Sequence, residues 1–161
     1  MKLKMTACID ASNEKVWQVL SDISNVNLWV DPILSARCKS ENISGVGTVR
    51  ICELKGNMTV IERWTDWNEG VSFTYVADEV ALIKSARNTW TVIPEENMTL
   101  VITESEVVLK GGIFGKLLEP LMYLVSMKMG SNSLSSLKHL IETGSPFIGN
   151  SSKLPRVSVV C

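Results

Sequence analysis

Gly45-Val46-Gly47-Thr48-Val49-Arg50-Ile51-Cys52-Glu53-Leu54, the short break Lys55-Gly56-Asn57, and Met58-Thr59-Val60-Ile61-Glu62-Arg63-Trp64 read together as a β-hairpin. Gly56 and Asn57 tolerate the positive φ that tight hairpin loops require. Two registers compete. A two-residue turn sets Arg50 opposite Arg63, whereas a three-residue loop sets Leu54 against Met58, Cys52 against Val60, Ile51 against Ile61 and Arg50 against Glu62. The second replaces a like-charge pair with an opposite-charge pair, and each favourable cross-strand pair contributes ~0.2–1 kcal/mol, so it is preferred. Side chains alternate along a strand, so one hairpin face then carries Arg50, Cys52, Leu54, Met58, Val60, Glu62 and Trp64. It is an apolar face with one ion pair set into it.

The rest of the chain limits what that face belongs to. At 161 residues the chain suits one domain that buries roughly 70% of its unfolded surface. A net charge of −1, with Lys and Arg dispersed, lacks the basic footprint of a nucleic-acid binder. The longest apolar run, Leu117 to Val125, is interrupted by Glu119 and Pro120 and falls short of the ~20 residues that span a bilayer. The N-terminus has no signal-peptide core, so a soluble cytoplasmic protein without stable membrane insertion is expected. Cys8, Cys38, Cys52 and Cys161 occur singly, with no metal-ligand spacing, so no metal or other cofactor is expected, and the first three read as core thiols. No nucleophile motif accompanies His139, and Lys110 to Lys116 reads as a strand-to-helix connection rather than a phosphate loop.

Periodicity orders the remaining elements. Lys2 to Ile9 alternates as a strand, Ser12-Asn13 starts a helix whose stripe is Val16, Trp17, Val19, Leu20 and Ile23, and Asn25 to Trp29 reads as a second short helix halted by Asp31-Pro32. Six strands follow: Leu34 to Ser40, Val46 to Leu54, Met58 to Trp67, Val71 to Ala77, Lys84 to Ile93 and Met98 to Leu109. From about Phe114 to Thr143 apolar residues recur at helical spacing, with Gly144 and Pro146 ending the run. Such a helix would be ~40 Å long. Its middle, Gly130-Ser131-Asn132-Ser133, is small and polar and would leave room beside a sheet. Residues 1–144 form the expected domain; the tail, residues 145–161, reads as disordered or, through Arg156 to Val160, as an edge strand.

One strand, two short helices, six strands and a long last helix is the order of the α+β helix-grip fold. In it a curved seven-stranded antiparallel sheet wraps around the terminal helix and leaves an internal cavity. The chain resembles the polyketide cyclase/dehydrase and lipid-transport branch of the START/Bet v 1-like (SRPBCC) superfamily. The resemblance rests on Glu14-Lys15-Val16-Trp17 with Leu20-Ser21-Asp22, Trp29 before Pro32, Gly45 to Arg50, Glu62-Arg63, and Leu137-Lys138 with Glu142. It implies that the apolar hairpin face lines the cavity. It also maps Glu62 and Arg50 onto polar positions that members related to plant hormone receptors carry in or near their pockets, and Glu104 onto a second glutamate. If Arg87 lies opposite Glu104, two Arg–Glu pairs would share the cavity, with Trp64, Tyr75 and Met122 or Met129 among its walls and Ser133 beside them.

The ligand-binding candidates are therefore Arg50, Cys52, Val60, Glu62, Trp64, Tyr75, Arg87, Glu104, Met122, Met129 and Ser133. Two functions follow from the resemblance: carriage, sensing or chaperoning of a hydrophobic small molecule such as a lipid, quinone or polyketide, or cyclisation or dehydration of a polyketide-like chain. In the second, Arg50 or Arg87 would polarise a carbonyl, Glu62 or Glu104 would move protons, and Tyr75 would assist. A salt-bridged arginine and glutamate hold each other charged and suit proton transfer poorly, so binding is favoured. Arg50 with Glu62 also reads as a plain structural bridge. A protein-interaction module, marked by an exposed apolar patch around Trp90, is a third reading, and a homodimer stays open.

Overall fold

The computed structural model describes residues 1–78 and 82–157. Seven strands form one antiparallel sheet: β1 (Lys2–Ile9), β2 (Ile33–Cys38), β3 (Val49–Leu54), β4 (Met58–Asn68), β5 (Ser72–Asp78), β6 (Ile83–Glu95) and β7 (Met98–Leu109). Their spatial order is β1-β7-β6-β5-β4-β3-β2, so consecutive hairpins build six strands and the first strand closes against the last. Between β1 and β2 lie helix α1 (Asn13–Ser21) and a single 3-10 turn, Val26–Leu28; after β7 comes helix α2 (Ile113–Thr143). The protein has the helix-grip fold. The expected second short helix is reduced to that one turn, which stops before Pro32.

The β3–β4 hairpin takes the register with Arg50 opposite Glu62 and Leu54 opposite Met58. Gly56 and Asn57, at φ 84° and 58°, form the loop that permits it. The upstream strand begins at Val49 rather than Val46, because Gly45 and Gly47 adopt φ 88° and 89° and break the ladder. Thr48 still bonds to the sheet, its carbonyl accepting from Trp64 N–H at 2.9 Å.

The concave sheet face carries the core. Trp17, Trp64, Trp67, Phe73 and Tyr75 form a chain of ring contacts with centroids 5.1–6.3 Å apart. The indoles of Trp17 and Trp67 both donate to Glu69, at 2.8 and 2.6 Å, so one turn carboxylate aligns two core rings. The second half of α2 buries Leu134, Leu137, Leu140 and Ile141 against this layer. Gly144, at φ 74°, caps it with its N–H on the Leu140 carbonyl. Pro120 stands inside α2. Cys52 is buried and Cys38 half-buried, both free; Cys8 is buried but disulfide-bonded, which corrects its reading as a core thiol.

Of the tail, residues 145–157 contain one 3-10 turn, Ser151–Lys153, and no strand. Ser151 is buried and donates to Asp31, and Ser135 of α2 donates to the Pro155 carbonyl. The expected edge strand falls mostly on residues 158–160, outside the described residues; Arg156 and Val157 are not in a strand. No helix among the described residues is long and apolar enough to cross a membrane.

Candidate functional site

Strand alternation puts Arg50 and Glu62 on the concave face, where they are 5% and 8% exposed. Arg50 Nε donates to Glu62 Oε2 at 2.6 Å, and Arg50 Nη1 reaches the Ile23 carbonyl at 3.3 Å. Cys52 Sγ donates to the same Glu62 oxygen at 3.4 Å. The guanidinium carbon stands 5.0 Å from the Trp64 ring centre and 5.7 Å from that of Tyr75, so two aromatic faces share its charge. Among the described residues Glu62 Oε1 accepts no hydrogen bond and Arg50 Nη2 donates none.

Both residues line a pocket of about 250 Å³ between sheet and α2. Its walls join Trp29 and Val30, after the 3-10 turn, to Tyr75, Asn88 and Trp90 of the central strands, Thr103, Ser105 and Val107 of β7, and Ser126, Gly130 and Ser133 of α2. The helix can border a pocket because it presents glycine and serine there, at intervals of four and three residues that share one helical face. A Cβ at Gly130 would overlap the end of Met5, another wall residue, so glycine there sets the closeness of helix and sheet.

Tyr75 faces inward because of a β-bulge. The β4–β5 register shifts between Trp64 and Asp66, so Trp64 lies opposite Tyr75 and their rings meet. Burial first, and then the Glu62 charge, push the Tyr75 hydroxyl well above its usual range. The same two causes, in that order, push the Cys52 thiol up to about 12. Burial opposes the charge on Arg50, but the Glu62 carboxylate leads the effects that outweigh it and hold the guanidinium more firmly protonated than in water. The site thus offers hydrogen-bond donors and one paired carboxylate.

The sequence-derived candidates divide. Arg50, Glu62, Tyr75 and Ser133 line the pocket. Cys52 and Trp64 stand behind the ion pair, while Val60 and Met122 pack in a neighbouring apolar cluster around Leu3, Ala77 and Val107. Met129 is exposed. The second Arg–Glu pair is not formed: Arg87 lies opposite Glu106, and Glu104 opposite Thr89. Arg87 and Glu104 are exposed on the outer face, where Glu104 pairs with Lys4 at 3.0 Å and Glu106 with Lys2 at 2.6 Å. The polar pair that does enter the pocket is one residue over on each strand: Asn88 and Ser105 are register partners, with Ser105 Oγ donating to Asn88 Oδ1 at 2.6 Å. Asn88, Thr103, Ser105 and Trp29 escaped the sequence reading. The alternation Val101, Thr103, Ser105, Val107 against the charged Glu104 and Glu106 was the signal that could have found Thr103 and Ser105; Asn88 and Trp29 had none of that kind. Trp90, whose exposure would have marked an interaction module, is instead buried in the pocket wall and meets Trp29 edge to face at 5.5 Å. The indole nitrogen of Trp29 is buried without a partner among the described residues.

Comparison with solved structures supports the architecture. TTHA0849 from Thermus thermophilus is 18% identical with a TM-score of 0.74, covering 90% of this chain and 99% of that one. The Zhui aromatase/cyclase from Streptomyces sp. R1128 is 15% identical with a TM-score of 0.69, over 91% and 99% of the two chains. Ara h 8.0201 is 12% identical with a TM-score of 0.70, over 89% and 98%. At these identities the likeness is one of fold. Among curated proteins none matches the chain in sequence. Residues 1–142 match the family described as polyketide cyclase / dehydrase and lipid transport, and the chain belongs to that family.

Proposed function

We propose that the protein binds a compact lipophilic molecule with an oxygen-bearing head, such as a quinone, a lipid or a polyketide, in the pocket between sheet and α2, as a carrier, sensor or chaperone. One observation carries this reading: a buried Arg50–Glu62 pair at the pocket wall keeps one donor nitrogen and one acceptor oxygen unused among the described residues. Buried polar groups normally find partners, so a ligand head that supplies both an acceptor and a donor satisfies them. The indole nitrogen of Trp29 and the Asn88–Ser105 pair add further polar contacts around the same space. A volume of about 250 Å³ sits just below the ~300–1,000 Å³ of common small-molecule sites and favours a compact ligand over a long folded chain.

Cyclisation or dehydration of a polyketide-like substrate is the second reading, favoured by Tyr75 lying against Arg50 as a pair that can polarise a carbonyl. Tyr75 and Cys52 keep their protons and Glu62 is held by Arg50, so the group lacking is a free base. Native mass spectrometry of protein purified without detergent tests the binding reading. A co-purified small molecule lost from the Arg50→Met/Glu62→Leu double variant supports it. Empty wild-type protein that also fails to take up added quinones, fatty acids and polyketides overturns it.

A further inference from the structure

The pocket holds one charged pair and no spare charge. Among the described residues, Arg50 and Glu62 are the only charged side chains on its wall, and they neutralise each other across the 2.6 Å contact of Nε with Oε2. Trp29, Tyr75 and Trp90 supply ring surface around them, and Leu3, Val30 and Ile33 supply aliphatic surface.

What the pair leaves over differs in kind. Arg50 Nη2 still offers an N–H and Glu62 Oε1 still offers lone pairs, each on a residue less than a tenth exposed and each without a partner among the described residues. The indole N–H of Trp29, a residue 5% exposed, is a second donor in the same position. Two neighbouring hydroxyls are already engaged: Ser105 gives its proton to Asn88 at 2.6 Å, and Ser133 gives its own to the Met129 carbonyl at 3.0 Å.

The head of a ligand therefore meets two donors and one carboxylate oxygen. An anionic head satisfies the donors alone. It brings a second negative charge up to a buried glutamate, and like charges repel far more strongly there than in water. Nor does Arg50 come free to receive it, since a change of partner would leave Glu62 buried and unpaired and forfeit what the new ion pair gains. A neutral head that carries a donor beside an acceptor satisfies all three groups without adding charge.

We propose that Glu62 sets the choice of ligand: it makes the pocket a site for an uncharged molecule with a hydrogen-bond donor next to a carbonyl or hydroxyl oxygen, and it turns away carboxylates such as fatty-acid anions. Hydroxylated ketones and quinones and primary amides belong to the accepted class. The inference rests on the pocket being a binding site and narrows what that site takes. Within the pair, Arg50 attracts the oxygen and Glu62 is the repulsive element from which discrimination against a charged competitor comes.

Three probes of one flat skeleton test this. Cinnamamide, benzylideneacetone and cinnamate differ only at the head, which is donor and acceptor, acceptor alone, and anion. By calorimetric titration of the full chain at neutral pH, the wild type should bind cinnamamide about tenfold more tightly than benzylideneacetone, and tighter than cinnamate by about tenfold or more. Glu62→Gln keeps the shape and removes the charge, so the order of amide and carboxylate should reverse. Cinnamate should then raise the melting midpoint of that variant, because it takes the place of the lost carboxylate beside Arg50. Wild type that binds cinnamate as well as cinnamamide overturns the proposal while the pocket stands as a binding site. A Glu62→Gln variant with an unchanged circular dichroism spectrum and the wild-type preference overturns it too. If the variant does not fold, the wild-type comparison decides alone: equal affinity for cinnamamide and benzylideneacetone means that Glu62 accepts nothing from the ligand, and the proposal falls. Wild type that binds none of the three, nor any added quinone, fatty acid or polyketide, loses the binding reading and this inference with it.

Discussion

Glu62 Oε2 takes hydrogen bonds from both Arg50 and Cys52, so a single carboxylate oxygen organises the polar side of the pocket. Removing it strands a guanidinium that is 5% exposed. Breaking a buried pair from one side typically costs ~3–5 kcal/mol, so Glu62→Leu should lower stability by about that much in urea denaturation. The Arg50→Met/Glu62→Leu double variant should recover most of the loss, since an apolar pair of similar volume removes the uncompensated charge; a double variant no more stable than Glu62→Leu would show that packing, not charge, was lost. Cys52 has a linked alkaline signature. Its thiol rises from 9.0 in the unfolded chain to about 12 in the folded one, burial and then Glu62 being the causes. The unfolded chain therefore releases a proton near pH 9 that the native state keeps, and the associated stability, full below that pH, drains away as pH climbs toward 12. Thermal melts between about pH 9 and 11 should fall less steeply for Cys52→Ala than for wild type; parallel slopes would leave Tyr75, raised in the same direction, as the source.

At the scale of elements, two small departures from regularity shape the site. The bulge near Thr65 in β4 brings Tyr75 opposite Trp64, and the glycine at position 130 lets α2 approach Met5 of β1. Gly130→Ala separates stability from pocket shape. Alanine raises helix propensity by ~1 kcal/mol, while its Cβ forces the flexible end of Met5 aside, a shift a thioether makes cheaply. The melting midpoint should stay within a few degrees of wild type. Affinity for whatever the pocket holds should fall about tenfold as Met5 swings, because Met5 is a pocket wall. A ligand bound equally well by both proteins would mean that this end of the pocket is not used.

For the molecule as a whole, occupancy should be visible as stability. A ligand at about a hundred times its Kd adds ~2.7 kcal/mol to the folded state, which for a domain of this size raises the melting midpoint by roughly 5–10 °C. A molecule recovered by native mass spectrometry that produces no such shift when added back is a surface contaminant. Much of the architecture could be read along the chain: alternation and turn residues located all seven strands, and opposite charge at Arg50 and Glu62 selected the hairpin register that the sheet adopts. Those are local signals, because cross-strand neighbours close in sequence depend on one turn. The pairing of β1 with β7 joins residues about a hundred positions apart, and it sets Lys2 and Lys4 against Glu106 and Glu104 on the outside. The β6–β7 hairpin itself sets Arg87 opposite Glu106 and Asn88 opposite Ser105, and with neither its register nor its inward face marked uniquely by a cross-strand charge pair, Arg87 and Glu104 passed for pocket residues while Asn88 and Ser105 went unnoticed. The bulge that turns Tyr75 inward and the exposure of leucines along the first half of α2 are likewise products of the assembled sheet and helix. The chain thus states by itself its elements, their order and the one ion pair fixed by a short turn. Which polar groups share a pocket, and which leucines meet the solvent, is decided only when distant strands and the last helix close on one another, because a side chain's face is local while its neighbours are not.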